Sequence, residues 1–366
     1  MVEVYIYDAE LNPIYVTDAV SSLIWTRRYF ASGEFELHVP LTQEILEVFT
    51  IGNVVRLYGD DEAGIIENRT LSQNESGTEE IAVTGKFISG LLGRRIIWGR
   101  ETLRSRAEYA MRKVIEKNAV NPDNPDRVIP YFVLGAEKGY TERVGFQTSY
   151  SNLLDTVEDI ARISGLGFKT VFDYANKQFV FEVFRGLDRT FGQMVNPPAV
   201  FSTEFENVFT QEYVEGVGNY RNVTLVAGEG EGLERTITVV GEGVGLDRFE
   251  MFVDARDLRS KDEEGNQIGE ELYISILQTR GLSKMAECQR IQTFDATINT
   301  VGAGFVYRED FDVGDVVTIA NNRWGVMMNT RIIEVQEVYE PNNYHVYATF
   351  GNKVPTLIDK IKQGVR

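Results

Sequence analysis

The strongest constraint on this chain is a pattern that it carries twice. Residues 51–85 read IGNVVRLYGDDEAGIIENRTLSQNESGTEEIAVTG, and residues 313–351 read VGDVVTIANNRWGVMMNTRIIEVQEVYEPNNYHVYATFG. Gly52-Asn53 is matched by Gly314-Asp315, Val54-Val55 by Val316-Val317, and Gly64 by Gly325. Ile332-Ile333-Glu334-Val335 continues where Arg69-Thr70-Leu71 stands, and both copies close on an alternating run followed by glycine. Apolar runs separated by short Gly, Asn and Asp turns form a meander, and a short curled meander closes into a small barrel. The reading is a β-rich, mixed α+β chain with two similar small β-barrels, one near each end.

At 366 residues the chain exceeds what one hydrophobic core holds, so several domains are expected. Lys and Arg number 37 against 55 Asp and Glu, a formal charge of -18. That balance argues against gripping a phosphate backbone, yet an acidic wall suits a conduit through which nucleic acid passes without sticking. The single cysteine, Cys288, falls on a predicted helix and reads as a small buried apolar residue, leaving no thiolate zinc site and no internal disulfide. The opening MVEVYIYDAE is acidic and alternating, unlike a secretion signal, and no apolar run reaches membrane-spanning length. A soluble protein made in a reducing compartment is expected.

Along the chain, 1–98 is expected to form the first β-barrel domain. Within it Phe35, Leu37 and Val39 share one strand face while Glu34, Glu36 and His38 share the other, so His38 is expected to meet solvent or a partner. Thr42 caps a short helix over 42–49. Residues 99–195 read as an α+β domain. In it 101–118 form an amphipathic helix with Leu103, Ala107, Ala110, Met111, Val114 and Ile115 on one stripe, and a second helix from Ser151 to Ser164 ends at Gly165 or Gly167. A hairpin turns at 174–177. Residues 196–238 and 291–354 read as the two parts of the second β-barrel domain. Residues 239–290 are an inserted domain with a long helix from about Gln267 to Gln289, weakened at Gly281, and 355–366 are a basic C-terminal tail.

Catalytic signatures are missing. The two histidines, His38 and His345, both fall on strand faces and suit no Ser-His-Asp triad. Acids are abundant, but no spacing singles out a pair for glycoside cleavage. GEGEG and GEGVG lack the dinucleotide spacing, and their glutamates would repel a pyrophosphate. Glu309-Asp310-Phe311-Asp312 misses the calcium-loop pattern. No P-loop, zinc helix or aromatic nucleic-acid platform is present. No cofactor and no metal are expected, and the chain reads as a structural protein rather than an enzyme. The alternatives are a cell-wall hydrolase and a carbohydrate- or receptor-binding tail protein.

Several stretches in fixed order resemble a known family: SSLIWTRRYFASGEFELHVPL (21–41), Gly64-Ile65-Ile66-Glu67, Val83-Thr84-Gly85-Lys86, Leu91 to Ile97, Arg127 to Pro130, Tyr150 to Leu154, Gly186 to Thr190, Val200-Phe201-Ser202, Tyr220 to Val223, Gly314 to Val317, Thr330-Arg331-Ile332 and Thr349-Phe350-Gly351. Together they resemble the gp37-like hub module of phage tails, also the N-terminal module of the tail-associated lysin (Tal) family. Many relatives continue into a peptidase, muramidase or fibre segment; this sequence stops at Arg366, so no lytic role is carried over. The resemblance implies a homotrimeric, hub-like ring in the virion tail, assembled in the host cytoplasm. The distal tail protein and tail tube would lie above, a fibre or tip protein below, and tape measure protein and then DNA would pass through. Its motifs mark Trp25, Arg27, Arg28, Gly33, Phe35, Arg94, Arg95, Asp188, Arg189, Asn222, Gly314, Asp315, Arg331, Phe350 and Gly351 as structural or interface candidates. Of these, Arg27, Arg28, Arg94 and Arg95 suit acidic partners or pairs between subunits.

Overall fold

The computed structural model describes residues 2–75, 77–261, 265–299 and 304–351. The basic tail expected over 355–366 lies outside the described residues. The first unit is built from strands β1 (Val4–Tyr7), β2 (Pro13–Thr17), β3 (Ser22–Arg28) and β4 (Glu34–Pro40), helix α1 (Gln43–Val48), and strands β5 (Val54–Leu57), β6 (Gly64–Ile65), β7 (Asn68–Gln73) and β8 (Glu79–Lys86). α1 starts as expected, the Thr42 hydroxyl accepting from the Ile45 amide. The strands lie in the order β3-β4-β8-β7 on one side and β2-β1-β5-β6 on the other. Trp25, Phe35, Leu37, Phe49, Val83 and Phe87 fill the space between them.

The middle segment contributes β9 (Arg100–Arg106), α2 (Ala107–Ile115), β10 (Phe132–Leu134), β11 (Arg143–Ser149), α3 (Leu153–Ser164), β12 (Gly167–Asp173) and β13 (Gln178–Phe184). The helix expected from 101 begins only at Ala107. Arg100 to Arg106 instead pair antiparallel with β11 over their whole length, a distant partner that overrides local helical periodicity. α3 ends as its sequence requires, Gly165 taking φ +74 as a left-handed cap. The middle core is shared with the first unit, since Tyr7, Leu11, Val54 and Ile65 pack with Met111, Phe168 and Phe181.

The second unit comprises β14 (Asp188–Arg189), β15 (Val200–Phe201) and β16 (Val208–Gly216), and resumes later with β20 (Ile291–Ile298), β21 (Val316–Asn321), β22 (Val326–Glu340) and β23 (Asn343–Gly351). Between the two parts lie β17 (Val223–Ala227), β18 (Ile237–Gly241), β19 (Glu250–Asp254) and α4 (Glu270–Ala286). α4 covers one face of the small β18-β17-β19 sheet. Gly281 lets the helix lie close: a Cβ there would stand 2.6 Å from Val226 and 2.7 Å from Val240. Cys288 follows α4 in a turn, half-buried, rather than lying inside a helix.

The two units share a strand order, β3-β4-β8-β7 in one and β16-β20-β23-β22 in the other. Their turns share backbone bonds. Gly52 N donates to Ile66 O (2.9 Å) and Ile66 N to Asn53 O (2.9 Å); Gly314 N donates to Ile332 O (2.7 Å) and Ile332 N to Asp315 O (2.8 Å). A one-residue slip follows in both, between the pairs Gly64–Phe87 and Asn68–Thr84 and between Ile332–Phe350 and Glu334–Thr349. The sequence alignment of the copies is therefore corrected at three points. Gly64 corresponds to Thr330 rather than Gly325, because the second hairpin is longer. Ile332 corresponds to Ile66, not Arg69. The closing glycines, Gly85 and Gly351, stand one residue out of step.

Neither meander closes into a barrel among the described residues. Each long strand bends at its slip, giving its first half to β5 or β21 and its second half to β8 or β23. The edge that closure would have used is spent elsewhere: β3 pairs antiparallel with β22, Trp25 opposite Glu337 and Arg27 opposite Val335. The result is one sheet running β16-β20-β23-β22-β3-β4-β8-β7. One face carries the apolar cores. The other is polar, with Glu212, Asp295, Thr349, Glu334 and Arg28 on adjacent strands.

Candidate functional site at the junction of the β units

Strand alternation decides what β3 presents inward: Leu23, Trp25, Arg27 and, just past the strand, Tyr29. Arg27 is thereby driven into the interior, its side chain 4% exposed. A buried guanidinium needs carboxylates, and two segments supply them, the loop over 60–62 and β22. Arg27 donates to Asp60 and to Glu337, and its Nε lies 3.5 Å from Glu62. Its guanidinium carbon stands 5.8 Å from the Tyr307 ring centre. Arg308 reaches Asp60 at 3.4 Å and Asp61 at 2.5 Å, and Lys169 of β12 pairs with Asp61. Glu337 also accepts from the hydroxyls of Tyr339 (2.7 Å) and Tyr344 (2.8 Å). Backbone bonds lock the same place, Phe172 N donating to Asp61 O at 2.7 Å and Glu62 bridging to Val171. First unit, middle segment and second unit meet here.

Three cations, Arg27, Arg308 and Lys169, face four carboxylates, Asp60, Asp61, Glu62 and Glu337. Burial pushes Glu62 up to about 8 against the pull of Arg27, so it holds its proton near neutrality and the remaining charges balance. Burial also raises Asp60 despite Arg27 and Arg308. Burial acts to raise Asp61 too, but Lys169 and Arg308 hold it below the usual carboxylate range. The Tyr307 phenol is driven well above its ordinary value by burial.

A second knot lies beside the first. Asp315 accepts from Leu187 N (2.7 Å), Arg189 Nε (2.9 Å) and Asp312 N (3.0 Å). Tyr29, fully buried, donates its hydroxyl to Gly165 O at 3.0 Å. Its ring lies 4.8 Å beneath the Arg331 guanidinium, and Arg331 also donates to Gly314 O. Gly314 has φ +95, and a Cβ there would stand 2.5 Å from the Tyr29 ring.

The remaining motif residues divide by place. Arg28 bridges β4 and β22 through Glu34 (2.5 Å) and Glu334 (2.6 Å). Trp25, Phe35 and Phe350 are core, Phe350 packing on Phe201 at 5.1 Å. Gly33 admits the Phe87 ring where a Cβ would stand 2.6 Å away, and Gly351 has φ +84 beside Gln292 O. Asp188 accepts from the Thr190 amide and hydroxyl, next to Arg189. Away from the junction, Arg94 makes an exposed pair with Glu67 at 3.3 Å, and Arg95 donates to the Arg127 and Val128 carbonyls. Asn222 ties Phe249 N to Asp247 O near the small sheet. Arg27 and Arg28, marked for partners outside the chain, find carboxylates within it. Sequence reasoning passed over Tyr29, Asp60, Glu62, Tyr307, Arg308 and Glu337. Only the alternation Leu23-Trp25-Arg27-Tyr29 carried a signal, placing a cation inside.

His38 is half-buried on the polar face between Glu36 (2.8 Å) and Glu80 (3.0 Å). Among the described residues no group of His, Cys, Asp and Glu is arranged to hold a metal ion, and no helix is long and apolar enough to cross a membrane. A charged cluster shut away from solvent is suited to clamping parts of a chain, not to receiving a substrate.

The model of the family described as Siphovirus ReqiPepy6 Gp37-like protein matches residues 3–352. Among solved structures, the chain is similar to the tail protein of Neisseria meningitidis MC58 at 12% identity and TM-score 0.56, over 95% of this chain and 96% of that one. It is similar to the 43 kDa tail protein of prophage MuSo2 from Shewanella oneidensis at 12% identity and TM-score 0.57, over 95% and 98%. It is also similar to prophage tail protein gp18 from Listeria monocytogenes EGD-e at 10% identity and TM-score 0.57, over 99% and 98%. At these identities the likeness is one of fold. No curated protein matches the chain.

Proposed function

The chain belongs to the siphovirus ReqiPepy6 Gp37-like family and shares its fold with phage tail proteins, and from that premise we propose that it is a structural hub of a phage or prophage tail tip. Three copies form a ring of six similar β units, which fits a six-fold tail tube and distal tail protein on one side and a three-fold tip or fibre on the other. Tape measure protein and then DNA pass through its centre.

One observation carries this reading: the chain already holds the repeating joint of such a ring. Inside it, β3 of the first unit pairs with β22 of the second. The strands left at the two free edges, β16 and β7, occupy the same places in their units as β3 and β22. Copies placed head to tail would repeat that joint and close. The polar face of the sheet suits the lumen. It holds a groove of about 600 Å³ lined by Thr210, Glu212, Asp295, Thr297, Glu334 and Tyr347 among others, a surface that repels a phosphate backbone. The α+β segment from β9 to β13 and the inserted segment from β17 to α4 then lie outside the ring and brace neighbouring copies. The buried junction fixes the angle between the two units of one copy.

Light scattering of the purified chain tests this, three times the 41.4 kDa chain mass being the expected result. A monomer at every concentration, together with tail particles lacking a six-lobed ring at this position, would refute it.

A further inference from the structure

Resting on the hub reading, we infer the register in which neighbouring copies join: β16 of one pairs antiparallel with β7 of the next, with Glu215 opposite Arg69, Tyr213 opposite Leu71 and Gln211 opposite Gln73.

The register follows from backbone pairing alone. The shared turn bonds equate Ile66 with Ile332, so Asn68 falls with Glu334 and Leu71 with Glu337. Asn68 lies opposite Thr84 and Glu334 opposite Thr349, which equates Thr84 with Thr349. Across the next strand, Glu36 opposite Thr84 corresponds to Asp295 opposite Thr349. Across the next, Ile24 opposite Glu36 corresponds to Glu212 opposite Asp295. Trp25 therefore falls with Tyr213, and Arg27 with Glu215. The joint inside the chain sets Leu23 opposite Tyr339, Trp25 opposite Glu337 and Arg27 opposite Val335. Carried to the outer edges, these pairs become the three stated above.

Side-chain chemistry played no part in that transfer, yet its outcome is complementary. A carboxylate meets a guanidinium, an aromatic ring meets a leucine, and an amide meets an amide, all on the core-facing side. A slip of one residue would put Arg69 opposite Val214 or Gly216 and turn the partners to opposite faces. A slip of two would place Glu215 against Leu71 or Glu67 and leave Arg69 without its carboxylate.

Both edges are ready to pair. All six residues of β7 are exposed and none is proline, an unblunted edge of the kind that recruits another strand. Leu71 stands 50% exposed. Glu215 pairs with Arg290 and accepts from the Tyr213 hydroxyl, and Arg69 donates to the Leu46 and Phe49 carbonyls. A carboxylate and a guanidinium each retain capacity for a further bond.

Disulfide trapping in the full chain, with Cys288→Ser as background, tests the register. Directly opposite residues in an antiparallel pair have Cα atoms about 4.5–5.5 Å apart, within disulfide reach, whereas diagonal ones lie roughly 7–8 Å apart. Oxidation of the Tyr213→Cys, Leu71→Cys variant should give covalent dimers and trimers on a non-reducing gel. The diagonal variants, Tyr213→Cys with Arg69→Cys or with Gln73→Cys, should give at least tenfold less. Preferential trapping in a diagonal variant overturns the register. In parallel, Glu215→Arg and Arg69→Glu should each lower the trimer fraction several-fold, and their combination should restore it; no restoration also counts against the register. A wild-type trimer that traps at none of these pairs overturns the register while the hub reading stands. A wild-type monomer at every concentration and in tail particles overturns both.

Discussion

The joint inside the chain and the edges at its ends are built from equivalent strands, yet they hold charge in opposite ways. Inside, Arg27 is sealed among Asp60, Glu62 and Glu337, and its side chain is 4% exposed. At the edge, the corresponding Glu215 pairs with Arg290 on the surface, their side chains 42% and 54% exposed. A buried ion cluster is tolerable where the chain itself guarantees that every partner arrives. An edge that waits for another copy must keep its charges solvated meanwhile, because a buried charge without its partner is strongly destabilising. In the proposed ring, the difference would separate a permanent joint from one that forms on assembly.

The contrast breaks most sharply at Arg27. Arg27→Ala leaves the Asp60 and Glu337 carboxylates buried without their shared cation, and urea unfolding should show a loss of roughly 3–5 kcal/mol. Glu215→Ala should change the stability of the isolated chain by about 0.5 kcal/mol or less, as exposed pairs do. Comparable losses for the two would show that the inner cluster is not what holds the units together.

Next come the two equivalent turn glycines. Gly52 and Gly314 have φ +98 and +95, but only Gly314 is crowded, by the Tyr29 ring, while nothing lies within 4 Å of a Cβ at Gly52. Gly52→Ala should cost about 1–2 kcal/mol for its backbone conformation alone. Gly314→Ala adds overpacking of roughly 1–3 kcal/mol, so thermal denaturation should rank it clearly below. Equal melting temperatures would remove Tyr29 from its place as the point where the three parts meet.

The smallest effect sharpens the electrostatic side. Glu62 is held near 8, above its ordinary value of 4.5, so between those pH values the native chain binds more protons than the unfolded one. Stability therefore falls as pH rises through that window, and Glu62→Gln should flatten the slope by about 1 kcal/mol per pH unit. A wild-type stability that rises from pH 5 to 8, or a slope unchanged by the substitution, would show that Glu62 is ionised in the native state.

What could be read from the sequence was what neighbouring residues decide. The two meanders, the Thr42 cap, the Gly165 terminus of α3 and a long helix within 267–289 follow from periodicity and capping; that helix, α4, is three residues shorter at each end than expected. Long-range pairing was not legible. Arg100 to Arg106 carry an apolar stripe into α2 but are claimed by β11, some forty residues on. The junction draws Arg27 together with Asp60 and Glu337, which lie 33 and 310 positions away. Motif resemblance marked Arg27 and Arg28 without their partners, which within the chain are Asp60 and Glu337 for the first and Glu34 and Glu334 for the second. Gly314, Asp315, Arg189 and Arg331 do gather at the junction, whereas Arg94, Arg95 and Asn222 serve local bonds elsewhere.

Because β3, paired with β4 on one side, finds its other neighbour in β22, a ribosome must add about three hundred residues before both sides of β3 are covered. At roughly 5–20 residues per second that is a delay on the order of 15–60 seconds, during which Arg27 has no Glu337 to meet. Synthesis interrupted anywhere short of residue 337 leaves that cation with Asp60 and Glu62 but without its carboxylate from β22. The long reach between the two strands thus makes the inner joint a feature that only a chain containing β22 can form.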